Sequence, residues 1–338
     1  MNRREFLGTV GLGAARILLP RQAATHTESF VMAMDNRNAP LTNLFAAQIE
    51  RGQVTLILYN LSARQPIATI FPDTIMPVAS AFKAGVLMYF VHQIEESVWN
   101  RVPVQYWDAD SMYDMPLIYR DNWQQNRYLL RDLYRMIVLS DNPAVGRTLS
   151  YIARQQGSLQ PVALFNAWSR NVVGLSLLSG INQWYYGTWA NMDNSDPQYA
   201  GRRIAVDGQL YAYYNVMTAR DLGLYYTWFL DELTSDQQLV AGTLLNVVKD
   251  FRRSNIEFLA AANRGMAFSK NGTLGASISA AGDVITDAGI IQHGNGTTYL
   301  MVFMSVGAGN SVSRIFELAD HVLKGRHDET IQQFAAAT

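Results

Sequence analysis

Apolar positions recur with helical spacing in some stretches of the chain and form nearly unbroken runs in others. Leu41, Leu44, Phe45 and Ile49 share one face of a helix expected over residues 40–51. Residues 54–61 and 66–71 read as two strands joined by the turn Ser62-Ala63-Arg64-Gln65. Ala84, Leu87, Met88, Val91 and Val98 predict a long helix over 80–99, with Glu95 and Glu96 left to solvent. Further helices are expected over 128–139, from Pro143 onward, and over 159–172. Thr218-Ala219-Arg220-Asp221 and Ser235-Asp236-Gln237-Gln238 have the form of capping boxes ahead of two more. Strands follow at 266–271, 284–292 and 297–306, the last an apolar run suited to the centre of a sheet. Ile315, Leu318, Ala319, Val322 and Leu323 mark a C-terminal helix with one apolar stripe.

Between 180 and 214 the periodicity fails. The stretch is dense in aromatics (Trp184, Tyr185, Tyr186, Trp189, Tyr199, Tyr211, Tyr213, Tyr214) and in Gly, Asn and Asp, and reads as a long ordered loop. It suits a lid over a groove, a surface elaboration or a contact between copies of the chain. Two early strands and three late ones can pair only if the two ends of the chain meet. The expected fold is α/β of the α+β type: a five-stranded antiparallel sheet flanked by N- and C-terminal helices, with an inserted all-helical lobe. The α/β lobe would comprise residues 40–75 and 255–325 and the helical lobe 76–254, with a groove between them as the natural site.

Composition narrows the chemistry. The 27 Lys and Arg nearly balance the 28 Asp and Glu, so no basic stripe invites nucleic acid. Absence of cysteine excludes disulfides, thiolate metal sites and a cysteine nucleophile. His26, His92, His293, His321 and His327 show no metal-ligand spacing, and neither a metal nor any other cofactor is expected. Only Lys83, Lys249, Lys270 and Lys324 depart from the chain's preference for arginine. Lysine can release its proton when buried, and arginine effectively cannot.

The chain opens with Asn2-Arg3-Arg4-Glu5-Phe6-Leu7-Gly8 and a weakly apolar run to Pro20, which resembles a twin-arginine export signal over residues 1–24. Cleavage near Ala23-Ala24 would leave residues 25–338 as a single folded unit, periplasmic or extracellular. The alternative is an ordinary N-terminal extension. Residues 5–20 are too short to span a bilayer permanently.

Three short motifs carry the chemistry. In Ser80-Ala81-Phe82-Lys83, residues three apart share a helix face, so the hydroxyl and the amine can meet at a helix start, where free N–H groups favour negative charge. Ser140-Asp141-Asn142 stands at the helix entrance marked by Pro143, and Lys270-Asn271-Gly272-Thr273 ends a strand where glycine permits close backbone approach. Taken singly, each also reads as a cap, a turn or an edge-strand lysine. Taken in order, S-x-x-K, S-D-N and K-x-G resemble the penicillin-recognising serine hydrolases, specifically the class A β-lactamases, over roughly residues 40–325. The stretch from Asp287 to Gly296 and the strand after it resemble that family's last two strands and their turn.

The resemblance implies that Ser80 attacks a carbonyl and that Lys83, its proton loosened by burial and by nearby Lys270, accepts the hydroxyl proton. Ser140 would pass a proton to the departing nitrogen, and Asn142 would hold the acyl side chain. Lys270 would attract a substrate carboxylate, with Asn271, Gly272 and Thr273 lining the edge and the N–H groups of Ser80 and Thr273 forming the oxyanion hole. Two features depart from the family pattern. Asn271 stands where Thr or Ser is usual, and no Glu occurs between Glu96 and Glu232 to activate the water that clears the acyl-enzyme. Among the loop carboxylates Asp193, Asp196 and Asp207, the last is the first candidate for a substitute base. The expected activity is thus a β-lactamase-like hydrolase with slow deacylation. The alternatives are a D-alanyl-D-alanine carboxypeptidase or transpeptidase acting on peptidoglycan peptides, and a β-lactam-binding sensor that stays acylated. Sequence alone does not give the oligomeric state.

Overall fold

The computed structural model describes residues 26–35, 39–184, 186–247 and 254–326; the segment 1–24 expected to direct export, Tyr185, Lys249 and His327 lie outside the described residues. Helix α1 (His26–Asp35) and the short α2 (Thr42–Ala46) precede the hairpin β1 (Gln53–Asn60) and β2 (Gln65–Ile70). Strand β3 (Ile75–Pro77) leads into a helical succession: α3 (Lys83–Gln93), α4 (Glu96–Trp99), α5 (Leu117–Val138), α6 (Asn142–Gln155) and α7 (Pro161–Trp168). Short strands β4 (Gly180–Ile181), β5 (Arg203–Val206), β6 (Gln209–Ala212) and β7 (Asn215–Thr218) come before α8 (Ala219–Glu232) and α9 (Ser235–Asn246). The chain then returns through α10 (Asn255–Ala262), β8 (Met266–Leu274), β9 (Val284–Gln292), β10 (Thr298–Val306) and α11 (Ser311–Leu323).

The main sheet runs β2-β1-β10-β9-β8 with every neighbouring pair antiparallel. Its central strands look apolar throughout because both faces are covered. On β1, Leu56 and Leu58 pack with α2, α10 and α11, whereas Ile57 and Tyr59 point into the larger core shared with α1, α3 and α8. All of β10 is buried for the same reason. Of the helices between β3 and β8, α8 and α10 pack on opposite faces of the main sheet, and α3 approaches its edge at β8.

Several expected boundaries shift, each for a local reason. The helix expected over 40–51 stops at Ala46, because Glu50 N–H is tied to Ser311 Oγ (3.0 Å) and Gly52 turns at φ +73 against the Val306 carbonyl. The helix expected over 80–99 begins at Lys83 and breaks at Ile94, whose backbone is extended and whose carbonyl accepts from the Trp99 indole. Helix α5 reaches back to Leu117, past a polar stretch that masks its buried stripe of Trp123, Leu130, Leu133 and Ile137. The second capping box is formed by Thr234 and Gln237, one residue earlier than expected. Thr218 does cap α8, but the buried carboxylate of Asp221 turns away to accept from Ser176 and Ser179. The 180–214 stretch is not one loop. It holds β4 and the hairpin β5–β6, whose turn Asp207-Gly208 takes left-handed φ values of 47° and 80°.

One anchor of the sheet is open to test. Ser254 Oγ donates to the buried Asp287 carboxylate on β9 (2.6 and 2.8 Å) while accepting from Ile256 N–H at the start of α10. Ser254→Ala should cost about 2 kcal/mol, since a helix cap and a charge-assisted bond go together. A urea denaturation midpoint equal to that of the wild type would contradict this.

Candidate active site

Ser80 lies in a turn between β3 and α3, not at the helix cap itself, which is Phe82. The turn is tight: Ala79 adopts φ +46, and Lys83 N–H donates to Ser80 O (3.2 Å). Strand β8 crosses directly in front of it. A Cβ on Gly272 would stand 2.3 Å from Ser80 N and 2.8 Å from Ala81 N, so only glycine lets the two backbones approach this closely. Ser80 is half-buried, Thr273 is exposed, and Gly272 is buried between them and the sheet.

Two buried lysines converge, one from α3 and one from β8. Lys83 Nζ donates to Ser140 O (2.6 Å), Asn142 Oδ1 (2.8 Å) and Ser140 Oγ (3.2 Å). Lys270 Nζ, from β8, donates to Asn271 O (2.7 Å) and to the same Ser140 Oγ (3.1 Å). Both side chains have no solvent-accessible surface. Ser140 reaches both because its backbone is left-handed (φ +57), a conformation uncommon for a residue with a Cβ. Pro143 at the start of α6 fixes the chain just beyond. Behind β8, burial first and the Asp287 charge second push the Tyr226 phenol up, so it stays a neutral hydroxyl.

The sequence motifs do not reveal Trp184. Its ring packs edge-on against Phe82 (centroids 5.2 Å apart), lies 6.0 Å from Lys83 Nζ, and donates its indole N–H to the Asn142 carbonyl (3.3 Å). The segment carrying it is pressed onto α6. A Cβ on Gly146 would stand 1.7 Å from the Tyr186 carbonyl oxygen, and one on Gly187 would stand 2.2 Å from Pro143 O. The aromatic density of 180–214 was the available signal, but nothing in it distinguished this tryptophan from its neighbours.

The structure therefore brings together Ser80, Lys83, Ser140, Asn142, Lys270, Asn271, Gly272 and Thr273, and it does not bring Asp207 to them. Asp207 sits at the exposed tip of the β5–β6 hairpin, where its Oδ1 accepts from Gly52 N–H at the entrance to β1. Strand β1 is three strand spacings from β8, about 14 Å of sheet, too far for a base acting at Ser80. Asp193 is engaged by the N–H and hydroxyl of Ser195. Asp196 caps Gln198 N–H and accepts from Asn166 Nδ2. All three are structural turn carboxylates. Among the described residues, no group of three or more His, Asp or Glu side chains is placed to hold a metal ion, and no helix is long and apolar enough to cross a membrane.

No protein-family model and no curated protein matches the chain by sequence. Solved structures do match by fold. The structure of PBP-A superposes with a TM-score of 0.55 at 18% identity, covering 84% of this chain and 97% of PBP-A. A halotolerant bacterial β-lactamase gives 0.52 at 14% identity, covering 87% and 98%. An ancestral class A β-lactamase gives 0.51 at 15%, covering 84% and 97%. At such identities the likeness establishes architecture: the chain has the β-lactamase/transpeptidase-like fold.

Gly272 offers a test of the geometry alone. Gly272→Ala must push the Ser80 turn away from β8, and overpacking of this kind costs about 1–3 kcal/mol. The urea denaturation midpoint should fall accordingly. An alanine variant as stable as the wild type would show that the backbones do not meet as described.

Proposed function

We propose that the protein is a serine hydrolase that forms an acyl-enzyme through Ser80 with β-lactams or related amides. The observation that carries the reading is the Ser140 hydroxyl held between Lys83 and Lys270 while Gly272 lies against the Ser80 turn. In the first half-reaction the Ser80 Oγ–carbon bond forms as Lys83 takes the hydroxyl proton. The carbonyl oxygen gains charge beside the N–H groups of Ser80 and Thr273, which act as the oxyanion hole. Collapse breaks the carbon–nitrogen bond, and Ser140 relays a proton from the lysine side to the leaving nitrogen. Lys270 attracts the substrate carboxylate with Asn271 and Thr273 beside it, and Asn142 holds the acyl chain. The twin-arginine segment supports export, so the substrate is met outside the cytoplasm.

Clearing the ester needs an activated water. Asp193 and Asp196 are engaged in their own turns and Asp207 holds Gly52 N–H at the start of β1, so this half-reaction is slow. The same observation favours a second reading, a D-alanyl-D-alanine carboxypeptidase or transpeptidase, in which the acyl group comes from a peptidoglycan peptide. One neighbour of the fold, a point mutant of PBP-A, was captured as an acyl-enzyme complex with penicillin G. That compound is therefore the first probe.

Intact-mass analysis after mixing with penicillin G should show one covalent adduct on the wild type and none on Ser80→Ala. An adduct retained by the alanine variant would refute the assignment of the nucleophile. With a chromogenic cephalosporin, a burst of one equivalent should precede a much slower steady rate, and a steady rate equal to the burst would refute slow deacylation. Ser140→Ala should slow the burst by about 10²-fold while leaving it stoichiometric, as expected for loss of a proton relay.

A further inference from the structure

We infer that Trp184 is a positioning residue of this site: its indole holds Lys83 and Asn142 in the arrangement that acylation requires. The inference rests on the serine-enzyme reading above and adds a residue from outside the three motifs.

Trp184 acts on both ends of one hydrogen bond. Asn142 Oδ1 accepts from Lys83 Nζ (2.8 Å), and the backbone carbonyl of that same Asn142 accepts the indole N–H (3.3 Å). The ring centroid also lies 6.0 Å from Lys83 Nζ, the outer limit at which the ring quadrupole attracts the ammonium that forms when Lys83 takes the proton. Edge-on packing with Phe82 sets the indole against the residue just before Lys83. One rigid side chain thus wedges the turn bearing the nucleophile against the entrance of α6.

The wedge itself is immobilised. Trp184 is 8% exposed, and its backbone N–H donates to Asn194 O (2.8 Å), while Asp196 N–H donates to Asn182 O (2.7 Å) across the same loop. The residues after it are locked to α6 through Gly146 and Gly187. A lysine amine rides on a flexible four-carbon stem, and confining it lowers the entropy lost on reaching the reactive geometry. An indole contributes that confinement with only two side-chain torsions of its own. Trp189, on the same loop, stacks over Arg154 instead (4.3 Å) and touches none of these groups.

Stopped-flow acylation by a chromogenic cephalosporin separates the dissociation constant of the first complex from the acylation rate constant. Trp184→Phe keeps a ring over Lys83 and loses the N–H; Trp184→Leu loses both. The acylation constant should fall about 10-fold in the first and about 10²-fold in the second, with the dissociation constant within about 3-fold of wild type. Trp189→Phe should match the wild type in both. Wild-type acylation constants in the Trp184 variants, or a loss confined to the dissociation constant, would overturn the positioning role. Should the leucine variant fail to fold in a thermal melt, the phenylalanine variant decides. A wild type that takes no acyl group overturns the serine-enzyme reading and this inference together, whereas wild type and Trp184 variants acylating at one rate overturn this inference alone.

Discussion

Two lysine amines without access to solvent share a single hydroxyl, and the site is organised around that fact. Burying such strongly polar groups costs several kcal/mol unless hydrogen bonds replace their water shell. Lys83 rises from α3 and Lys270 from β8, and Ser140 Oγ is an acceptor common to both. The Ser140 and Asn271 carbonyls and the Asn142 amide oxygen also accept from them. Neither lysine keeps its shell if α3, the entrance of α6 and β8 move apart. The left-handed backbone at Ser140 follows from this demand, because both its carbonyl and its hydroxyl must face inward. Under the proposed function, the serine between the two amines is also where a proton would be handed on, so one arrangement would serve cohesion and chemistry.

Close backbone approach supplies the precision. Gly272 brings β8 against the Ser80 turn, and Gly146 and Gly187 bring the aromatic segment against α6. In each pair a methyl group would collide with main chain, which cannot swing aside as a side chain can. The Ser80 turn therefore has the β8 backbone on one side, and Lys83 has Trp184 beside it. The aspartates of the 180–214 segment are each held by other partners.

Much of this was legible in the sequence because the informative signals are local. The strand runs 54–61, 284–292 and 297–306 differ from the observed strands by at most one residue at either end, since burial on both faces leaves nearly continuous apolar residues. Three motifs named eight residues that the fold does gather. What was missed depends on tertiary contacts. Ser80 looks like a helix cap, but the helix begins only at Lys83 because β8 holds the preceding turn open. Asp207 precedes β7 closely in sequence, yet its hairpin carries it to the far side of the sheet. Trp184 is one aromatic among many in its segment, and its role exists only once Gly146 and Gly187 dock the loop. The hairpin β5–β6 hid because Arg203-Ile204-Ala205-Val206 alternates over too few residues to stand out.

The central claim is that Ser80, Gly272 and the two lysines form one acylation centre, and a crystal structure of the protein soaked with penicillin G tests it most directly. The account predicts an ester on Ser80 Oγ, its carbonyl oxygen within hydrogen-bond distance of the Ser80 and Thr273 N–H groups, and Ser140 Oγ facing the former ring nitrogen. An ester on another residue, or a Ser80 ester whose carbonyl oxygen points away from Thr273, would contradict it.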